Sequence, residues 1–138
     1  MIPKIETSSV AEIKAFQEDK LQELLVYLQN HSPYYRELFL KNEIEINQIK
    51  TLEQLQNLPI TTKTDIQLNN DSFFCVPMNE IIDYATTSGT LGDPVTFGLT
   101  DKDLERLAYN EMISFQCAGI QKGDLVQLMT TMDRRFMA

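Results

Sequence analysis

The hydrophobic residues of the first part of the chain recur with the period of an α-helix. Ser9 and Glu12 have the spacing of a capping box, which marks a helix start. Apolar residues follow every three or four positions: Ile13, Phe16, Leu21, Leu24, Leu25 and Leu28. Asn30 and Pro33 predict the end of this helix. We therefore expect one amphipathic helix that buries a single stripe.

Shorter helices are predicted after the first one. The segment "PYYRELFLKN" predicts a second helix, and "TLEQ" (51–54) and "TKTD" (62–65) have capping-box character. Leu58 and Pro59 separate these two starts. Together, these signals predict a helical N-terminal subdomain over residues 1–70.

The period changes after residue 70. The segments "IIDYATT" (81–87) and "VTFGLT" (95–100) are rich in β-branched and aromatic residues, which is typical of strands. Residues 101–118 show a helical stripe that ends before Gly119, the expected C′ residue. The nearly continuous apolar run "LVQLMTT" (125–131) predicts a buried strand.

This order of elements predicts an α/β fold. The helical segment leads into the first strands and helix of a subdomain over residues 71–138. Because so few strands cannot make a well-covered sheet, we expect the chain to be a truncated piece of a larger domain.

Composition narrows the classes of partner. The chain has 138 residues, 43% of them hydrophobic, and a net charge of −8 without a basic cluster. A nucleic-acid or membrane partner is therefore not expected, since both need concentrated positive charge or a long apolar run. Cys75, Cys117 and the single His31 lack metal-ligand spacing, so no metal site is predicted. Two isolated cysteines fit free thiols, packed as small apolar side chains, in a reducing cytoplasm.

The most distinctive segment is "TTSGTLGDP", residues 86–94. Glycines that allow close backbone approach, next to hydroxyl side chains, are suited to holding phosphate. Neither GxxxxGK[ST] nor GxGxxG fits the segment, and Gly, Asp and Pro are also typical of a hairpin turn. The residues alone leave both interpretations open.

The surroundings of this loop resemble one family. "TSGTLGDP" is similar to the TSGTTGxP loop of adenylate-forming enzymes, and "LPITTKTDI" resembles the LPFTTKEDLR segment of phenylacetate–CoA ligases. The opening helices, the strands around the loop and "AGIQKGDLVQ" also resemble that family in the same order. The chain is therefore identified as similar to the N-terminal portion of a phenylacetate–CoA ligase.

This resemblance implies an AMP-forming ligase that uses ATP, Mg²⁺ and coenzyme A. Such enzymes activate a carboxylate as an acyl-adenylate and then transfer the acyl group to the thiol of coenzyme A. The resemblance also implies that residues 71–138 are the start of a nucleotide-binding subdomain with its phosphate loop at 86–94. The implied ATP phosphate-binding residues are Thr87, Ser88, Gly89, Thr90, Leu91 and Gly92. The catalytic lysine of the family is expected downstream of Ala138, so we expect residues 1–138 alone to be inactive. A homodimer is a further implication.

Two positions depart from the family pattern. Leu91 replaces a usual hydroxyl residue, and Asp93 stands where Lys is common. A carboxylate about 8 Å from a phosphate charge would cost about 2 kcal/mol at an effective dielectric constant of about 20. The segment "TTMDRRFM", matching part of the acyl pocket, keeps Phe136 but lacks the usual tyrosine and glycine pattern. The acid could therefore be an aryl acid or another organic acid.

Two other hypotheses come from different functional classes. The chain could be a stand-alone nucleotide-binding or regulatory module without catalysis. It could also be a structural or dimerisation domain whose glycine loop is only a hairpin turn. Nucleotide binding that depends on Gly89 and Gly92 would separate the first two interpretations from the third.

Overall fold

The computed structural model describes residues 3–87, 94–127 and 129. The chain divides into two compact units, with the boundary between Val76 and Pro77. We call residues 2–76 the helical unit and residues 77–138 the hairpin unit. The predicted functional division into a helical subdomain and a nucleotide-binding subdomain stays a prediction.

The helical unit is built from α-helices joined by short 3-10 helices. Helix α1 spans Val10–His31, α2 spans Pro33–Lys41 and α3 spans Lys63–Leu68. The 3-10 helices are Lys4–Thr7, Ile46–Gln48, Leu52–Asn57 and Asn70–Phe73.

Local capping explains where these helices begin. The hydroxyl of Ser9 accepts the N–H of Glu12 at 3.3 Å, and the Glu12 carboxylate accepts the N–H of Ser9 at 2.8 Å. Thr62 starts α3 with the same reciprocal pair, and Thr51 starts a 3-10 helix. The predicted helix starts are confirmed. They could be read from the sequence because a capping box pairs backbone N–H groups with side chains within four residues.

The core of the helical unit is formed where α1, α2 and the segment after α2 meet. Its buried side chains are Leu21, Leu25, Phe39 and Ile49. Partly buried residues pack around them: Leu28, Tyr35, Ile44, Ile46, Leu52 and Leu58. The predicted stripe of α1 is only partly right, because Phe16 and Leu24 are 42% and 51% exposed.

Ser32 joins α1 and α2 and is completely buried. Its hydroxyl accepts the N–H of Tyr35 at 3.3 Å, which caps α2, and donates to the carbonyl of Ser72 at 3.1 Å. The ring of Tyr34 stacks on Phe73 with 4.0 Å between centroids. The start of α2 is thus tied to the 3-10 helix that contains Ser72 and Phe73.

The hairpin unit begins with a 3-10 helix, Met78–Glu80, and continues into an antiparallel pair of strands. Strand β1 spans Asp83–Thr86 and β2 spans Thr96–Leu99. Ala85 pairs with Phe97, and Thr86 pairs with Thr96. Both strands are confirmed, but each is shorter than predicted.

Helix α4, Asp101–Cys117, follows β2 directly. Thr100 and Asp103 form its capping box. Gly119 has a φ of +86° and donates to the carbonyl of Gln116 at 3.0 Å, as expected for the C′ residue. Its predicted apolar stripe has no buried member, since none of its 17 residues is buried.

The predicted buried strand at 125–131 is wrong over its described residues. Residues 125–127 and 129 are not part of a strand, and Leu125 and Met129 are 99% and 87% exposed. Residues 128, 130 and 131 lie outside the described residues. A strand forms by pairing with a neighbouring strand, and the described part of this unit pairs only β1 with β2.

Cys75 and Cys117 are both free thiols, as predicted. Cys75 is partly buried, and burial raises the pKa of its thiol. The prediction that Cys117 packs as a core side chain is wrong, because it lies on the exposed surface of α4. Among the helices described, none is long and apolar enough to cross a membrane.

Candidate functional site

The candidate site is the loop between β1 and β2, and its base is well defined. Thr87 and Val95 continue the strand register by one pair beyond Thr86 and Thr96. The N–H of Thr87 donates to the carbonyl of Val95 at 3.0 Å. In return, the N–H of Val95 donates to the side-chain hydroxyl of Thr87 at 3.0 Å. Two hydrogen bonds therefore close the loop of residues 88–94.

The base of the loop is also anchored by burial. Val95 is 2% exposed and Ala85 is 6% exposed. Both lie on the same face of the hairpin, because side chains alternate between faces along a strand and the two positions are two pairs apart. Pro94 is exposed, and the next residue, Val95, is buried.

The loop itself lies outside the described residues. Of the predicted phosphate-binding residues, Thr87 is described; it directly follows Thr86, the last residue of β1. Outside the described residues lie Ser88, Gly89, Thr90, Leu91, Gly92 and Asp93, together with the predicted acyl-pocket segment at 130–137. Their roles stay predictions.

The carboxylates near the hairpin take part in local structure. Asp83 accepts the N–H of Tyr84 at 2.8 Å. Hydrogen bonds from Thr100, above all from its backbone N–H, lower the pKa of Asp103. In the parts of the chain that are described, no group of three or more His, Cys, Asp or Glu side chains could hold a metal ion. The Asp83 contact is confined to its own strand, whereas Asp103 caps the start of α4.

The side-chain acceptor at the base of the loop was not predicted from the sequence. The sequence indicated Thr87 by its position in the motif, without a partner for its hydroxyl. The pairing with Val95 depends on the strand register, which a local pattern does not specify across the intervening loop.

Comparison with known proteins shows a relationship that extends along most of the chain. No protein-family model matches. A phenylacetate-coenzyme A ligase of Thermus thermophilus is 32% identical over 88% of this chain and 27% of its own length. The enzyme of the same name from Escherichia coli is 31% identical over 90% of this chain and 29% of its own length. This confirms the resemblance to the phenylacetate–CoA ligases.

The fold agrees with this relationship. A crystal structure of 2-hydroxyisobutyryl-CoA ligase, in complex with 2-HIB-AMP and CoA, superposes with a TM-score of 0.80 and 30% identity. The superposition covers 88% of this chain and 27% of that one. The helix-rich chain with a small antiparallel sheet thus matches the N-terminal part of an adenylate-forming CoA ligase. It spans between one quarter and one third of the length of these phenylacetate–CoA ligase relatives.

Proposed function

We propose that this chain is the N-terminal portion of an ATP-dependent, AMP-forming acyl- or aryl-CoA ligase. The enzyme activates a carboxylate as an acyl-adenylate and transfers the acyl group to coenzyme A. One observation carries the proposal: 88% of the chain superposes on a ligase whose crystal structure contains both an acyl-AMP and CoA. The two sequence relatives described above are phenylacetate-coenzyme A ligases.

The role of the loop follows from the chemistry of the first step. Negative charge builds on pyrophosphate as it leaves ATP, and backbone N–H groups with hydroxyls stabilise such charge. We assign this role to Ser88, Gly89, Thr90 and Gly92, with Leu91 as a backbone donor. Mg²⁺ carried with the ATP phosphates would supply further positive charge. The hydrogen-bonded pair of Thr87 and Val95 gives this loop a fixed base.

The proposal specifies the substrate only as an organic carboxylic acid. The names of the relatives include phenylacetate, an aromatic acid, and 2-hydroxyisobutyryl, a small branched hydroxy acid. Both acids present a carboxylate, but the neighbouring group is aromatic in one and small, branched and hydroxylated in the other. A panel of organic acids that spans these two types is therefore the appropriate substrate test.

The rest of the proposal concerns the chain by itself. We expect residues 1–138 to be inactive without further ligase sequence, because they span 27% of the length of the T. thermophilus relative. We also expect a homodimer, as the family resemblance implies, and a cytoplasmic location, as the two isolated cysteines favour. Cross-linking of the native polypeptide tests the dimer.

The activity is tested on the native polypeptide that contains residues 1–138, identified in cell extract with an antibody against this segment. After purification it is assayed for exchange between pyrophosphate and ATP with phenylacetate, benzoate and 2-hydroxyisobutyrate. We expect exchange that depends on one of these acids. A native polypeptide of only 138 residues that lacks exchange and still binds ATP would replace the ligase by a nucleotide-binding module.

Substitutions in the loop test the site. Gly89→Val and Gly92→Val should abolish exchange, because a side chain at either position obstructs close approach of phosphate to the backbone. Gly123→Val is the matched control: this glycine has a φ of +106° in a different turn, so the same substitution strains the backbone at a position outside the loop sequence. Equal loss of exchange in all three variants would indicate general destabilisation and would contradict the assignment of the loop.

A further inference from the structure

Thr87 uses its side chain where a regular strand uses its backbone. In an antiparallel pair whose two residues exchange hydrogen bonds, each N–H donates to the carbonyl of the other residue. Thr87 follows this rule as a donor, since its N–H reaches the carbonyl of Val95. The N–H of Val95, however, donates to the hydroxyl oxygen of Thr87 at 3.0 Å. The hydroxyl thus takes the place of a backbone acceptor.

This hydrogen bond is important because its donor belongs to a buried residue. Val95 is 2% exposed, the lowest value among the described apolar residues of the core. Because a buried N–H without an acceptor carries a large desolvation penalty, the chain needs an oxygen at this point. The hydroxyl of Thr87 supplies it and thereby holds the two ends of the loop in one register. Serine could do the same, whereas valine has the shape of threonine but no acceptor.

We infer that Thr87 is a positioning residue. Its hydroxyl holds Val95 in register with β1 through their hydrogen bond. This hydrogen bond supports nucleotide binding more than a direct contact between Thr87 and phosphate does. This inference rests on the proposed function, because it concerns how the same loop binds ATP. It also changes the role of one predicted site residue. The phosphate contacts are then left to residues 88–92, while Thr87 determines where their backbone begins.

Two measurements on the native polypeptide test the inference, with Thr87→Val and Thr87→Ser as the matched pair. The first is amide hydrogen exchange at Val95 without nucleotide, with Ala85 in β1 as the internal reference. The second is the dissociation constant for ATP by calorimetry. In Thr87→Val we expect Val95 to exchange about tenfold faster with Ala85 unchanged, and ATP binding to weaken about tenfold. That is the size expected for the loss of one buried hydrogen bond.

Thr87→Ser keeps the acceptor and should retain both Val95 protection and ATP affinity within about twofold of the wild type. ATP binding that weakens in Thr87→Val while Val95 stays protected would overturn the inference, because the hydroxyl would then act on phosphate directly. Loss of Val95 protection with unchanged ATP affinity would overturn it as well. If Thr87→Val unfolds the whole hairpin, Thr87→Ser tests the inference instead. Reduced ATP affinity in Thr87→Ser, with the Val95 amide still protected from exchange, would contradict the positioning role.

Failure of the proposed function has a different signature. A wild-type polypeptide that does not bind ATP would remove the proposed function, whatever the exchange data show. A wild type that binds ATP, with either contrary result in the Thr87 variants, would remove only the positioning role.

Discussion

The two units of this chain differ in how far they cover their own apolar residues. The helical unit buries Leu21, Leu25, Phe39 and Ile49 in one cluster. In the hairpin unit the described buried residues are Ala85 and Val95, and α4 contributes none. Apolar side chains on α4 and beyond it, such as Phe115 at 39% and Leu125 at 99%, remain exposed.

This difference in burial indicates which of the two units is the more stable. Burial of apolar surface is the main favourable contribution to folding, and helices in proteins are stabilised chiefly by packing of one face. Helix α1 has such a packed face, whereas no residue of α4 is buried. We therefore expect the helical unit to be the more stable of the two, and the following variants test that expectation.

The largest effect is expected at Leu25, which is 3% exposed in α1. Leu25→Ala should reduce the free energy of unfolding of the helical unit by about 2 to 5 kcal/mol, through lost burial and the cavity that remains. Urea denaturation followed by circular dichroism measures it. The adjacent Leu24, 51% exposed, is the control, and Leu24→Ala should cost less than about 1 kcal/mol. Equal costs for the two leucines would contradict the position of the core.

The next largest effect is expected at the residues that cap α2 in the helical unit and α4 in the hairpin unit. Ser32→Ala should cost about 2 kcal/mol, because it removes the cap of α2 and leaves the Ser72 carbonyl without this donor. Thr100→Ala removes the cap of α4 and should cost about 1 kcal/mol. Amide exchange, read separately in α2 and α4, measures each loss. A larger loss at Thr100 would reverse the ranking.

A third pair of variants concerns the helix ends. Helices α2 and α4 both end with the same pattern of backbone hydrogen bonds, but the residue at positive φ is Glu43 (+53°) after α2 and Gly119 (+86°) after α4. Glu43→Gly should therefore stabilise the helical unit by about 0.5 to 1 kcal/mol. Gly119→Ala should cost about 1 kcal/mol, and only through backbone strain, because the added Cβ would meet no atom within 4 Å.

Denaturation measures the first variant, and amide exchange in the last turn of α4 measures the second. Gly119→Asn is the control, since asparagine tolerates positive φ better than alanine and should recover part of the loss. Destabilisation by Glu43→Gly would mean that the Glu43 side chain has a favourable role that outweighs its backbone strain.

The smallest effect is the pH dependence of the ion pair between α1 and the Leu52–Asn57 helix. Lys14 Nζ lies 2.6 Å from Glu53 Oε1, and the hydrogen bond from Lys14 is the main cause that lowers the pKa of Glu53 to about 2. Since the folded pKa is below the unfolded value, the stabilisation is present above about pH 4.3 and is lost as the pH falls toward 2. Both side chains are largely exposed, so solvent screening keeps the effect small.

Glu53→Gln should therefore flatten the decline in thermal midpoint between those pH values, and Lys14→Met should flatten it similarly. Raising the salt concentration should reduce the difference from the wild type. Parallel pH profiles for the wild type and Glu53→Gln would exclude this ion pair as a source of acid sensitivity.

Features that depend on contacts between residues close in sequence could be predicted, whereas features that depend on distant residues could not. The capping boxes at Ser9 and Thr62 were predicted from the sequence, because the donor and acceptor are three residues apart. The strand at 125–131 was not predicted correctly over its described residues. Apolar composition is compatible with a strand, but a strand also requires a partner in space.

The candidate site shows the same division. Its motif and its resemblance to the ligase family were visible in "TTSGTLGDP" and in the segments around it. The hydrogen bond from Val95 to the Thr87 hydroxyl was not visible, because it joins residues eight positions apart through the strand register. The phosphate-binding roles of residues 88–92 remain predictions for nucleotide-binding experiments.

The sequence by itself determined the local features of this protein: where its helices begin, where glycine ends α4, and which loop carries the ligase motif. Tertiary structure decided which of the apolar residues became core, since Leu24 and Leu25 are chemically identical and only Leu25 is buried. It also decided that Ser32 joins α2 to Ser72, and that Thr87 pairs with Val95. Local patterns encode contacts within a few residues, whereas burial and register depend on which distant segments pack together.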